Sequence, residues 1–193
     1  MTKKQSLSIY TAAGSASVST ANAKAHLKVE HSNDDTLIDG YVQAAEKEVE
    51  AFTNRTIIST VYDFTLTEFP VNGIVLPVSP VSAIASIKYY DASNTLQTWA
   101  SSNYHYNVNE EPCIIRYVDS VPDTYEDRSD AVVVRVTAGY ANAAAIPAPL
   151  VQAIKLKLGD YYENRIDAPR EMFSAWMRLA YPYRVWHEPF ENE

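Results

Sequence analysis

Two stretches of helical periodicity bracket this chain, and a long stretch of a different period separates them. The first runs from Ala23 to Arg55. From Asp35 onward, Ile38, Val42, Ala45, Val49 and Phe52 recur at alternating spacings of four and three, which is one stripe of a helix. Asp39, Gln43, Glu46, Lys47 and Glu50 fall on the opposite face and are expected in solvent. The second stretch runs from Ile146 to Arg165. Pro147 suits a first helical turn, and Leu150 or Val151, Ile154, Leu158 and Tyr161 form its buried face. Neither helix can bury its apolar stripe alone, so the two blocks are expected to meet in space.

Local signals refine the first block. Ser19 is placed to cap a short helix from Thr20 to about Val29, with Val18 as its hydrophobic staple. Ser32-Asn-Asp-Asp35 supplies a turn and a second cap. Residues 1–17 are small and polar and read as an extended arm.

Between the blocks the period falls to two. Thr-Val-Tyr-Asp-Phe-Thr-Leu-Thr, within Ile57–Thr67, alternates β-branched and aromatic residues. Further strands are expected at Gly73–Leu76, Ala83–Tyr90, Thr95–Trp99, Tyr104–Val108, Cys113–Val118 and Ala131–Ala138, separated by Pro, Asn-Gly and Asp-Ala-Ser-Asn turns. Such spacing implies antiparallel pairing. The expected class is α+β, a helical bundle of N- and C-terminal helices with a central antiparallel β-rich insertion. Beyond Arg165, Pro169 opens another helix, Arg170 to about Ala180, followed by the aromatic, proline-punctuated segment Tyr181–Phe190.

The composition excludes several functions. No apolar run reaches the length of a membrane span, so no membrane partner is expected. Ala21-Asn-Ala23 imitates a signal-peptidase site, but the segment before it is broken by hydroxyl residues and glycine. The lone Cys113 permits no internal disulfide and reads as a small buried strand residue. The net charge is −8, and residues 91–130 hold Asp91, Glu110, Glu111, Asp119, Asp123, Glu126, Asp127 and Asp130 against only Arg116 and Arg128. Binding of DNA through phosphate contacts requires the opposite balance.

Chemistry is equally absent from the pattern. His26, His31, His105 and His187 lack metal-ligand spacing, and no phosphate-binding glycine loop or nucleophile elbow occurs. Glu110-Glu111 is the one carboxylate pair that suggests hydrolysis, yet neighbours on a strand point to opposite faces. No catalytic residue, cofactor or metal site is expected. The fourteen tyrosines and three tryptophans favour protein partners instead.

Ala25-His-Leu-Lys-Val-Glu-His31, Asp34-Asp-Thr-Leu-Ile-Asp-Gly-Tyr41 and Phe52-Thr-Asn-Arg55 resemble the opening of the tailed-phage head–tail connector (adaptor) proteins. Val136-Thr-Ala-Gly-Tyr140, Ile146-Pro147, Ala153-Ile154 and Tyr161-Tyr-Glu-Asn-Arg165 resemble the close of the same core. Leu76-Pro77 and Pro80–Asp91 are similar to the central region of its longer members. The resemblance covers residues 19–165, as helices within 19–55 and 146–165 around a β-rich region 56–140. Residues 1–18 and the C-terminal helix and aromatic tail, 166–193, lie outside it.

The resemblance implies a structural virion protein without enzymatic activity. Such adaptors form a ring, usually of twelve copies, beneath the portal protein. They extend the DNA channel, let duplex DNA pass without sequence-specific binding, and meet a stopper or tail-completion protein below. The implied location is the virion neck, with assembly in the bacterial cytoplasm. Glu110, Glu111, Asp119, Asp123, Glu126 and Asp127 are candidates for an acidic channel or contact surface. Trp176, Tyr181, Tyr183, Trp186 and Phe190 are candidate anchors on the portal or another partner. Removing residues 170–193 is therefore expected to abolish portal attachment and leave the fold intact. Another neck or tail-completion role is the alternative reading, and a hydrolase using Glu110/Glu111 a remote one.

Overall fold

The computed structural model describes residues 5–164 and 173–186. It is an α+β protein in which the chain forms two compact units. Among the described residues, one comprises 5–13, 59–139 and 186, and the other 14–58, 140–164 and 173–185.

The second unit is helical. Helix α1 spans Thr20–Leu27, α2 Asp35–Thr53, α3 Ala148–Glu163 and α4 Ala175–Ala180. Ser19 caps α1 as expected, its hydroxyl accepting from the Asn22 N–H at 3.3 Å. Lys28 and Asn54 end α1 and α2 in the left-handed conformation, each returning its N–H to a carbonyl of the last turn. The expected cap of α2 is different: Asp34 makes no capping bond, and its carboxylate accepts the Tyr162 hydroxyl at 2.8 Å.

The apolar stripe of α2 lies where its period placed it. Ile38, Val42, Ala45 and Val49 are buried with Leu150, Ala153, Ile154 and Leu158 of α3, and Val18, Trp176 and Ala180 join the same cluster. Two residues expected outward are corrected: Glu50 is 13% exposed and accepts the Ile57 N–H at 2.7 Å, and Glu46 is the clearer case. Glu46 is buried, because the segment entering α1 crosses it and the Ser17 N–H donates to its carboxylate at 3.1 Å. A helical wheel assigns faces within one helix and cannot see such a covering segment.

The first unit is built from antiparallel strands. They are β1 (Gln5–Thr11), β2 (Thr60–Leu66), β3 (Ile74–Val75), β4 (Val81–Tyr90), β5 (Leu96–Trp99), β6 (Tyr104–His105), β7 (Ile114–Tyr117) and β8 (Val132–Ala138). Five form a sheet in the order β1-β2-β8-β4-β5, and three form a smaller sheet, β3-β7-β6. Each strand expected between residues 57 and 138 is present. Along β2 and β8 every second residue is buried, so Tyr62, Phe64 and Leu66 oppose Val136, Val134 and Val132 in register. Ile74, Leu76, Cys113 and Ile115 from the smaller sheet enter the same core, with Phe69 and Trp99.

Strand β1 departs from the expectation of an arm. Residues 5–11 pair antiparallel with β2, from Gln5 opposite Leu66 to Ile9 opposite Tyr62. All seven are exposed, which is why neither composition nor burial pattern distinguished them from a tail.

Candidate assembly interface

The acidic stretch of the β unit separates into engaged and unengaged carboxylates. Asp91 closes its own turn: one oxygen accepts from the Ser93 and Thr95 N–H groups, the other from Gln97 Nε2 at 2.9 Å. The Gln97 bond, then the Thr95 bond, holds its pKa below the ordinary value. Glu110 meets Arg116 in a bidentate pair at 2.6 and 2.7 Å, and that hydrogen bonding holds its carboxyl low as well. Asp130 is likewise paired with Arg128, at 2.8 and 3.0 Å, and the Arg128 guanidinium lies 3.5 Å from the centre of the Tyr90 ring.

The only two bases of the stretch are thus consumed. Asp119, Asp123, Glu126 and Asp127 lie exposed between β7 and β8, with no hydrogen-bond or ion-pair partner among the described residues. Glu111 is exposed on the turn before β7. These positions separate the acidic candidates by role. Glu110 is bound to its own arginine, whereas the four acids after β7 present uncompensated charge. The pairing occupies both carboxylate oxygens of Glu110. Among the described residues no cluster of His, Cys, Asp and Glu is arranged to hold a metal. Burial pushes the Cys113 thiol up to about 11, so it is inert as a nucleophile.

The aromatic candidates also separate. Trp176 is 5% exposed, and its ring stands edge-on to Phe52 at 5.3 Å in the helical core. Beside it Lys157, also buried, bridges Glu48 at 3.0 Å and Asp160 at 3.2 Å, with its ammonium 4.7 Å from the centre of the Tyr161 ring. The chain after α4 is tied to the end of α2. The Val185 N–H donates to Thr53 O at 2.8 Å, Asn54 Nδ2 donates to Val185 O at 2.9 Å, and Arg55 Nε donates to the Tyr183 carbonyl. Tyr183 packs against the same core as a half-buried ring.

Tyr181 and Trp186 are 50% and 63% exposed. Phe190 lies outside the described residues. Phe173, just before α4 and not among the sequence candidates, is 43% exposed and meets Tyr181 edge-on at 5.9 Å. A deletion from residue 170 would therefore remove part of the helical core, contrary to the expectation that the fold survives it. Trp176 and Tyr183 serve the fold, while Tyr181, Trp186 and Phe173 present aromatic surface.

The family described as Phage gp6-like head-tail connector protein matches residues 18–130. The chain belongs to this family. No helix among the described residues of this connector is long and apolar enough to cross a membrane. Solved structures extend the likeness to nearly the whole connector. A chain in the neck of an empty GTA particle computed with C6 symmetry superposes with a TM-score of 0.82 at 23% identity, covering 96% of this chain and 98% of that one. A chain in the virion of a native gene transfer agent (GTA) particle gives 0.77 at 22%, covering 95% and 97%. A chain in the neck of a native GTA particle computed with C12 symmetry gives 0.76 at 23%, covering 96% and 98%. At this identity the likeness is one of fold. No curated protein sequence matches the connector.

Proposed function

We propose that this connector is a head–tail adaptor, a structural component of a virion neck that forms a ring of about a dozen copies beneath the portal. The observation that carries the reading is end-to-end agreement of its fold with chains from particle necks. A twelve-membered ring is compatible with both the six-fold and the twelve-fold symmetry of those particles. In this reading the ring extends the DNA channel, hands it to a stopper or tail-completion protein, and performs no catalysis. Assembly takes place in the bacterial cytoplasm.

The exposed chemistry supports two contact roles. Asp119, Asp123, Glu126 and Asp127 give a loop that repels phosphate, which suits a passage through which duplex DNA slides without being held. Tyr181 and Trp186, with Phe190 beyond them, give large amphipathic anchors of the kind that dominate protein interfaces, and we assign them to the portal. The deciding experiment is electron microscopy of the chain assembled with its portal. A closed ring on the portal's lower face is expected. A chain that stays monomeric with the portal present, or that binds only at the tail end, refutes the reading.

A further inference from the structure

The edge strand β1 is held in an unusual way. No hairpin joins it to β2: residues 12–59, including both α1 and α2, lie between the two strands. Residues 5–16 are all exposed, and none of the β1 side chains enters the core. Immediately afterwards Ser17 and Val18 are buried in the helical unit, Ser17 through its bond to Glu46. The tether between strand and helix is Ala12-Ala-Gly-Ser-Ala16, five small residues outside any helix or strand, and a side chain at Gly14 would meet nothing within 4 Å. Between Thr11 and Ser17 such a tether spans about 20 Å when extended.

The contacts that hold β1 are specific to its sequence. Ser6 Oγ lies 2.5 Å from Thr65 Oγ1 across the pair. Tyr10 covers Arg135, whose guanidinium carbon is 3.3 Å from the ring centre and is itself fixed by a bidentate bond to Asp63 at 2.8 Å. By register Leu7 and Ile9 lie opposite Phe64 and Tyr62, on the core side of the sheet, yet they remain 42% and 58% exposed. The edge of β2 is thus cut to fit this one heptapeptide, and every copy of the chain carries that heptapeptide.

We propose that β1 is exchanged between neighbouring copies, each chain laying residues 5–11 on the β2 edge of the next. The occupant of that edge is the β1 strand of a second copy. Exchange keeps every β1–β2 contact, so it costs only what the tether demands. A neighbour held in a ring supplies its strand at a local concentration of roughly millimolar, so exchange competes with pairing inside one chain without needing any new contact. The exchange is head-to-tail and closes with the ring, and it turns a weakly buried edge strand into a staple between subunits. It also limits the geometry, since the acceptor edge must lie within the reach of five residues.

This inference rests on the ring reading, and the test separates the two. Ser6→Cys and Thr65→Cys are made in separate, differently tagged chains, which are assembled together, alone and with the portal, and then oxidised. Neither chain can close an internal bridge at this site, and Cys113 is buried. Exchange predicts a covalent heterodimer on a non-reducing gel. The double variant S6C/T65C then gives a ladder of linked copies, all dispersed by reductant. A ring by mass measurement in which the double variant yields only internally bridged monomer overturns the exchange and leaves the ring standing. Failure of the double variant to cross-link at all overturns the β1–β2 pairing and the exchange with it. Absence of any oligomer refutes both.

Discussion

Replacing Trp176 by alanine tests whether the tail aromatics divide between fold and partner. Trp176 is buried, its ring packs edge-on to Phe52 at 5.3 Å, and the Lys157 ammonium lies 5.6 Å from its centre. Truncating a core tryptophan costs about 3–5 kcal/mol, lost transfer energy plus the cavity left behind. With a urea dependence of about 2 kcal/mol per molar, the unfolding midpoint should fall by about 1.5–2.5 M. The readout is far-UV circular dichroism at the helical minimum, because α1 to α4 all belong to the unit that holds Trp176. Tryptophan fluorescence serves less well, since Trp99 and Trp186 also emit. The paired control is Trp186→Ala, 63% exposed, whose cost should stay within about 0.5 kcal/mol. A Trp176→Ala midpoint within about 0.3 M of the parent, a shift of about 0.6 kcal/mol, would refute the assignment of this ring to the core.

The same division predicts that Trp186→Ala and Tyr181→Ala lower retention on immobilised portal at least tenfold while leaving the melting temperature unchanged; unchanged retention removes them as anchors. Glycines give opposite signs by position. Gly40→Ala in α2, where a Cβ meets nothing within 4 Å, should stabilise by about 0.5–1 kcal/mol. Gly73→Ala, at φ +97° with its Cβ 2.6 Å from the Ile115 carbonyl, should destabilise by about 1–3 kcal/mol; thermal melts of the two variants check both signs. Acid should weaken the β unit, because the carboxyls of Asp91, Glu110 and Asp130 titrate lower in the fold than in the open chain. Their contribution is complete above the ordinary carboxyl range and is lost as pH falls through the lowered values. In Glu110→Gln the fall in urea midpoint between pH 7 and pH 3 should therefore be smaller, and an equal fall refutes the role of the pair.

What was legible in the sequence was whatever a period could carry. The α2 stripe and the alternation of β2 and β8 each bury one residue set on one face, so spacing alone located them. Strand β1 has an alternating pattern too, Leu7 and Ile9 between Ser6, Ser8 and Tyr10, but it buries neither set, and only a distant pairing makes it a strand. Glu46 was misplaced because its cover comes from Ser17, far along the chain. Trp176 and Trp186 have similar aromatic surroundings in sequence. Their separation depends on the return of Val185 to Thr53, a contact no local rule encodes. The acidic stretch is likewise uniform in sequence, and only the fold lets Arg116 select Glu110 and Arg128 select Asp130.

The distribution of burial explains how this fold can persist at 22–23% identity with its structural neighbours. Each unit closes its own core, and cores ask chiefly for volume and period, which many apolar sets satisfy. The features assigned to assembly are attached to those cores without being part of them: the carboxylates after β7, the exposed rings around Tyr181 and Trp186, and the β1 strand. Changing them costs little folding energy, so each surface can be refitted to its own partner. The converse also follows. Residues such as Lys157, whose ammonium is satisfied by Glu48 and Asp160 inside the helical unit, are bound to the fold despite their charge. Removing both of those carboxylates strands a buried cation, whereas Lys157→Met replaces it with a packed apolar chain. A connector read only by its charged and aromatic residues would mistake such internal groups for contacts; burial is what tells the two apart.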